Sequence, residues 1–350
     1  MTTGRVFKNF MKTNAEYQVL VCNPDLVETE YLRREYGLIA ALVDPATTTI
    51  PELSVIACTD PSNWSRFLTE SNVKTVIFFL LGNETYDKRK YEYLNNFSSI
   101  LHVFVYNPPR MSSDLGILSA LDWLFWNPLS FFDKHLFFAW RFAKSIRDQT
   151  SEVRISYQWT SLPLGYTNLF VSQLDDSFLN KCISLFDNWP LSDVAKYDHK
   201  VSSGFVGQVG TWYRKVLVKY FARFPEFTSI ESSGWKGTSS VNYIEFLRDT
   251  QLILCPPGIY TNETFRYFEA LVFGGLPISP VNSLHDFHTS KYWTSELPWY
   301  LKHSHIATYR YLRKRNSQSL VAHVQNAQSL VTDQIEVVRD RLQTLLCEKI

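Results

Sequence analysis

The sequence predicts an α/β fold in two halves, each built on a largely parallel sheet. Runs of four to seven apolar or β-branched residues recur along the chain, each closed by polar residues or proline. Between them lie stretches long enough for helices, and buried strands alternating with helices imply a sheet covered on its faces. The pattern breaks near residue 165 and resumes, and 350 residues suffice for two domains of ordinary size.

In the first half, residues 17–22 (YQVLVC) read as a buried strand turned by Asn23-Pro24-Asp25, with a helix expected over 28–35. Residues 54–58, 75–81 (TVIFFLL) and 101–106 (LHVFVY) repeat the pattern, with helices expected over 65–70 and 86–95. A helical, aromatic-rich segment over 129–147 follows. Leu162-Pro163-Leu164-Gly165-Tyr166 and the irregular stretch to Lys200 put the domain boundary there, dividing the chain into 1–163, 164–315 and a terminal helical segment 316–350. In the second half, 204–207 read as a strand leading through Gln208-Val209-Gly210 into a helix with Arg214, Lys215 and Lys219. Residues 243–248 read as a helix and 251–255 (QLILC) as a strand stopped by Pro256-Pro257-Gly258. A helix over 265–273 ends at Gly274-Gly275, and 276–279 form the next strand. Residues 318–346 have helical spacing and are expected to form one or two helices able to pack back on the first half.

Lys plus Arg total 35 against 34 Asp plus Glu, so the net charge of +1 gives no chain-wide reason to expect nucleic acid or an anionic membrane as partner. A charged ligand must be met locally. The scattered cysteines, Cys22, Cys58, Cys182, Cys255 and Cys347, form no CxxC pair and favour free thiols in a reducing compartment. The amino terminus lacks the apolar core of a secretory signal, and the most apolar stretches fall far short of the roughly 20 residues that span a bilayer. The expectation is a cytoplasmic protein, or a soluble catalytic domain separated from an anchor, with no transmembrane segment. His285, His288, His303 and His305 lack acidic or cysteine partners at metal-ligand spacing, so no metal site is expected. Neither a Gly-x-Ser-x-Gly elbow nor a Walker A loop occurs. The 25 Phe, 19 Tyr and 10 Trp are mostly core, and Trp212 reads as packing.

The informative passage is 251–280, QLILCPPGIYTNETFRYFEALVFGGLPISP. A strand ends at Pro256-Pro257-Gly258, and after a loop a helix starts near 261–264, where hydroxyl, amide and carboxylate side chains can cap free N–H groups. A helix amino terminus at the carboxyl end of a parallel strand attracts anions. Arg266 lies in the first turn and can add a bidentate contact to phosphate. Glu269, three residues on, can accept both hydroxyls of a ribose. Phe265, Phe268 and Val272 would face the sheet, with Ala270 and Gly274 keeping the polar side thin. Taken alone, Arg266 and Glu269 also fit an ordinary surface pair worth a few tenths of a kcal/mol.

The string GIYTNETFRYFEALVFGGLPI resembles the donor-binding signature of the exostosin family of glycosyltransferases and its relatives, among them ribitol xylosyltransferase and exostosin-like enzymes of algae, bacteria and large viruses. Residues 162–166 (LPLGY) resemble the segment entering that family's second domain, and 204–215 (GFVGQVGTWYRK) its opening strand, glycine loop and basic helix. Residues 79–87 (FLLGNETYD) are similar to a strand end where bacterial relatives carry an Asp-Glu pair; here Asn83 replaces the Asp. The likeness is strong over 160–280, weaker over 75–110 and absent at the termini.

The resemblance implies a GT-B fold, two Rossmann-like domains facing across a cleft, the first binding the acceptor and the second the nucleotide sugar. It implies an inverting transfer from a UDP-sugar, with xylose the sugar it suggests, to a glycan hydroxyl, without metal or other cofactor. The chain has no Asp-x-Asp motif, and Asp175-Asp176 lie in the irregular linker. Glu84, following a buried strand, is the expected base, with Asp87, Asp25 and Asp114 in reserve. Arg266, Arg214 and Lys215 are expected on the diphosphate and Glu269 on the ribose. Gly207, Gln208, Pro257, Gly258 and Thr264 are expected beside the donor. A retaining GT-B enzyme with another nucleotide sugar, or a non-catalytic glycan-binding protein of the same fold, stays open.

Overall fold

A computed structural model describes residues 18–21, 53–58, 60–70, 75–80, 88–105, 155–163, 165, 167, 170, 173–174, 199–209, 212–232, 240–256, 264–279 and 305–347. The expected helices over 28–35 and 129–147 lie outside these residues, as do Asp25, Glu84, Asp87, Asp114, Asp175, Asp176, Pro257 and Gly258. Among the described residues the fold is α/β, with two sheets whose pairings are all parallel.

The first sheet contains β1 (Gln18–Val21), β2 (Leu53–Cys58), β3 (Thr75–Leu80), β4 (Ile100–Val105) and β5 (Gln158–Ser161), in the order β1-β2-β3-β4-β5. After β2, Asp60 caps a short 3-10 turn by accepting from the Ser62 N–H at 3.0 Å, and Pro61 follows with its φ already suited to a helical start. The turn leads into α1 (Ser65–Glu70), and α2 (Lys88–Leu94) follows β3. Sequential strands joined by right-handed crossovers put these helices on one face. There Trp64, Leu68, Tyr91 and Leu94 pack with Ile56, Val76, Phe78, Leu80, Val103 and Val105. The alternate residues, Ile77, Phe79 and Phe104, look the other way into a separate core.

The second sheet contains β6 (Val201–Gln208), β7 (Phe227–Ser232), β8 (Thr250–Leu254) and β9 (Leu276–Ile278), in the order β7-β6-β8-β9. The helices are α3 (Trp212–Phe221), α4 (Ser240–Asp249), α5 (Phe265–Val272) and α6 (His305–Leu312), followed by α7 (Ser317–Cys347). Strand order reverses at β6, which has β7 on one side and β8 on the other. Such a reversal opens a crevice at the carboxyl ends of the two strands flanking it, here β6 and β8. The first sheet has no reversal among its described strands, unlike the doubly wound order implied for both halves.

The terminal segment is one helix. Asn316 caps α7 by accepting from the Ser319 N–H at 2.9 Å. Leu320, Val324, Ala327, Val331, Ile335, Val338, Leu342 and Leu345 recur every three or four residues and are all buried. Its 31 residues extend about 46 Å. The first half of α7 lies on α5, where the Gln328 side-chain amide donates to the Leu271 carbonyl at 2.7 Å. Further along, Arg341 donates to the Gln158 side chain in β5, and the buried stripe shares a core with Ile77, Phe79 and Phe104. Thus α7 lies against the face of the first sheet opposite the one that α1 and α2 cover.

That contact contains a titrating group. His102 on β4 is 2% exposed, and its Nε2 lies 2.9 Å from the Thr160 hydroxyl. Burial, and secondarily the Arg341 charge, lower its pKa from 6.5 to about 4. Between those pH values the unfolded chain binds a proton that the folded chain refuses, so stability falls as pH falls. The lowered value corresponds to a loss of about 3 kcal/mol by pH 4. Urea midpoints at pH 7 and pH 4 should therefore differ more in the parent than in His102→Gln; equal differences would refute the assignment.

Candidate functional site

The crevice at the carboxyl ends of β6 and β8 receives the amino terminus of α5. Thr264, in extended conformation, occupies the N-cap position, and α5 ends where Gly274 adopts a φ of 70° and the Gly275 N–H returns to the Ala270 carbonyl at 3.0 Å. Tyr267 through Val272 are all buried. The expected thin polar side at Ala270 is corrected by this burial, because α4 and α7 pack on α5 and enclose it.

Arg266 lies flat against the end of β6. Its guanidinium sits 4.9 Å from the Phe205 ring centroid and over Gly207. Gly207 has a φ of 135°, and a Cβ there would fall far inside contact distance of Nη2 and 3.2 Å from Cζ. Nε and Nη1 of Arg266 are buried and make no hydrogen bond among the described residues, and the Thr264 hydroxyl is in the same condition. An N-cap threonine ordinarily accepts from its own helix, but Thr264 makes no such bond. Two buried guanidinium donors and a hydroxyl therefore converge without a partner on one helix amino terminus, an arrangement that costs stability unless a ligand answers it.

Arg214 reaches the same crevice from α3 and donates to the Gln208 carbonyl at 3.4 Å. Lys215, the next residue, is exposed. Cys255 follows directly after β8 and feels the charges of Arg266, Glu269 and Arg214. Burial pushes its thiol up to about 12, with Arg266 and Arg214 acting downward and Glu269 upward. The thiol stays protonated and is a poor nucleophile. The His305 Nε2 lies 3.4 Å from the Cys255 carbonyl.

Glu269 is 2% exposed, so it is no surface partner of Arg266. One carboxylate oxygen accepts from the Thr167 N–H at 3.1 Å and the Thr167 hydroxyl at 2.9 Å; the other accepts from the Tyr243 hydroxyl. Burial raises its pKa, opposed by the bonds from Tyr243 and Thr167 and then by Arg266. Burial and the neighbouring carboxylate hold the Tyr243 phenol well above its ordinary value, so it remains a donor. A carboxylate offers about four lone-pair positions. Three are used here.

Of the residues singled out in the sequence, Arg266, Thr264, Gly207, Gln208, Arg214 and Glu269 thus gather around the β6–β8 crevice. Thr167, Phe205, Tyr243 and Cys255 join them unforeseen. Thr167 directly follows the LPLGY segment, the one local signal available; nothing in its own helix distinguishes Tyr243. Among the described residues no group of three or more His, Cys, Asp or Glu is arranged to hold a metal, and no helix is long and apolar enough to cross a membrane. No family model, curated protein or solved structure matches the chain.

Proposed function

We propose that the chain is a glycosyltransferase that grips a nucleotide sugar by its diphosphate at the carboxyl edge of the second sheet. The supporting observation is the set of buried, unanswered donors on Arg266 and the Thr264 hydroxyl at the α5 amino terminus. A diphosphate supplies acceptor oxygens and negative charge together, which suit the guanidinium and the helix end. Arg214 adds a second cation, Lys215 lies one residue further along α3, and the backbone at Gly207 and Gln208 borders the crevice. Glu269 keeps one lone-pair position for a ribose hydroxyl. The exostosin-like motif assigns Pro257 and Gly258, which lie outside the described residues, to the donor as well.

The finer reading, a metal-independent, inverting GT-B enzyme that uses a UDP-sugar, with xylose as the sugar, and a glycan acceptor, rests on the exostosin-like motif. In that reaction Glu84 takes the proton of the acceptor hydroxyl as its oxygen bonds to the anomeric carbon. The bond from that carbon to the diphosphate oxygen breaks, and UDP leaves with the electron pair, its charge met by Arg266 and Arg214. Glu84→Gln should abolish transfer and leave UDP binding intact; retained transfer would favour a retaining mechanism or another base.

Thermal shift against a panel of nucleoside diphosphates tests the binding step. A hundredfold excess over Kd stabilises by about 2.7 kcal/mol, enough to move the melting temperature by several degrees. No shift with any nucleotide at millimolar concentration would remove the donor site. Incubation with UDP- and GDP-sugars, following hydrolysis or transfer, then separates an enzyme from a binding protein.

A further inference from the structure

The opposite end of the second sheet carries a separate feature. From the carboxyl edge, where it follows β6, α3 runs to the amino edge, where it precedes β7. Parallel to α3, α6 begins with His305 near Cys255 and reaches the amino edge, where the Tyr309 hydroxyl lies 2.9 Å from the Ser203 hydroxyl. Phe221 and Tyr309 join the two helices with ring centroids 4.8 Å apart.

This geometry gathers Lys219, Arg223, Arg310, Arg313, Lys314 and Arg315, all exposed, at the amino edge of the second sheet. Arg223 and Arg310 lie over the Tyr220 ring at 5.7 and 5.8 Å, Arg313 over Phe224 at 4.7 Å and Arg315 over Tyr311 at 4.0 Å. The carboxylate set among them, Glu226, is already engaged by Arg313 at 3.1 Å and Tyr309 at 3.3 Å. Cations near a helix carboxyl terminus have an ordinary use against the helix dipole. One or two per helix end serve that purpose. Among the described residues the same edge also carries the Lys200–Asp249 pair, 3.2 Å apart; six further cations around Glu226, in a chain of net charge +1, form a local field.

We propose that this amino-terminal edge of the second sheet docks on an anionic phospholipid bilayer. The faces of Tyr220, Phe224 and Tyr311 carry guanidinium groups, which leaves them poorly placed to stack nucleobases as single-strand binders require. The cations come from turns and helix ends, forming a broad surface whose guanidiniums are ordered by the rings beneath and can pair with lipid phosphates. The eight residues of β6 separate this edge from the Arg266 crevice by about 26 Å, so docking leaves the crevice open to solvent. The proposal does not depend on the glycosyltransferase reading.

The full chain should sediment with vesicles containing about one third phosphatidylserine and not with phosphatidylcholine alone, and the binding should weaken with added salt. Each surface cation contributes a factor of about five, so the Lys219→Gln, Lys314→Gln, Arg315→Gln variant should bind anionic vesicles roughly 100-fold more weakly. Its circular dichroism and melting curve should match the parent, and the Arg89→Gln, Arg339→Gln control should bind as the parent does. Binding indifferent to lipid charge, no sedimentation, or parental affinity in the triple variant would overturn the proposal. RNA retention without vesicle binding would overturn it in favour of nucleic acid.

Discussion

Arg266→Ala is expected to abolish stabilisation by nucleoside diphosphates while leaving the unliganded protein within about 1 kcal/mol of the parent. The substitution removes stacking on Phe205, worth about 1 kcal/mol, and also two buried N–H groups that lack a hydrogen-bond partner. An arginine retained for packing would behave oppositely, costing stability and leaving ligand binding alone. Gly207→Ala should have the larger effect on the fold. The new Cβ would push the guanidinium off its seat, and alanine resists a φ of 135°, for a combined cost of about 1–3 kcal/mol with loss of nucleotide binding. Against an Arg266→Ala background the collision disappears and backbone strain of about 1 kcal/mol remains. The double variant should therefore be more stable than the sum of its parts. Strict additivity in urea melts would mean that Arg266 does not rest on Gly207.

The buried strands were legible because the period and length of their apolar runs survive in the sequence. β3 was read as residues 75–81 and ends at Leu80; β8 was read as 251–255 and spans Thr250–Leu254. Two edge strands escaped. β7 reads FTSIES, and its half-exposed face gives no apolar run; β5 is the four residues QWTS. Their strand conformation is set by pairing with β6 and β4, which is non-local information. The short helix α6 was missed as well, although it supplies the buried Tyr309.

The candidate site divides along the same line. Arg266, Thr264 and Glu269 lie within one strand–turn–helix passage and were readable from it. Thr167 and Tyr243 meet Glu269 across 102 and 26 residues, and no local pattern announces such a meeting. The basic edge was hidden for another reason. Its cations come from two stretches some 90 residues apart, and a near-neutral total averages them away.

Glu269 separates structural from functional roles most sharply. Glu269→Ala leaves the Thr167 N–H, the Thr167 hydroxyl and the Tyr243 hydroxyl without their acceptor, so it should destabilise by about 3–5 kcal/mol. Glu269→Gln should not. Its amide oxygen can accept both Thr167 bonds, and its amide N–H can donate to the Tyr243 oxygen once that hydroxyl rotates. The sign of the pKa shift adds a pH dependence. Because burial raises the Glu269 pKa, the folded state favours the protonated acid, and stability is lost as pH rises from 4.5 through the raised value. The Gln variant escapes that loss, so its advantage in melting temperature should grow with pH above 4.5. If the free lone-pair position serves a ribose, the parent should prefer UDP to its 2′-deoxy analogue and the Gln variant should lose that preference, roughly tenfold. A parent indifferent to the 2′-hydroxyl would leave Glu269 as the tie between Thr167, Tyr243 and α5, with no part in ribose recognition.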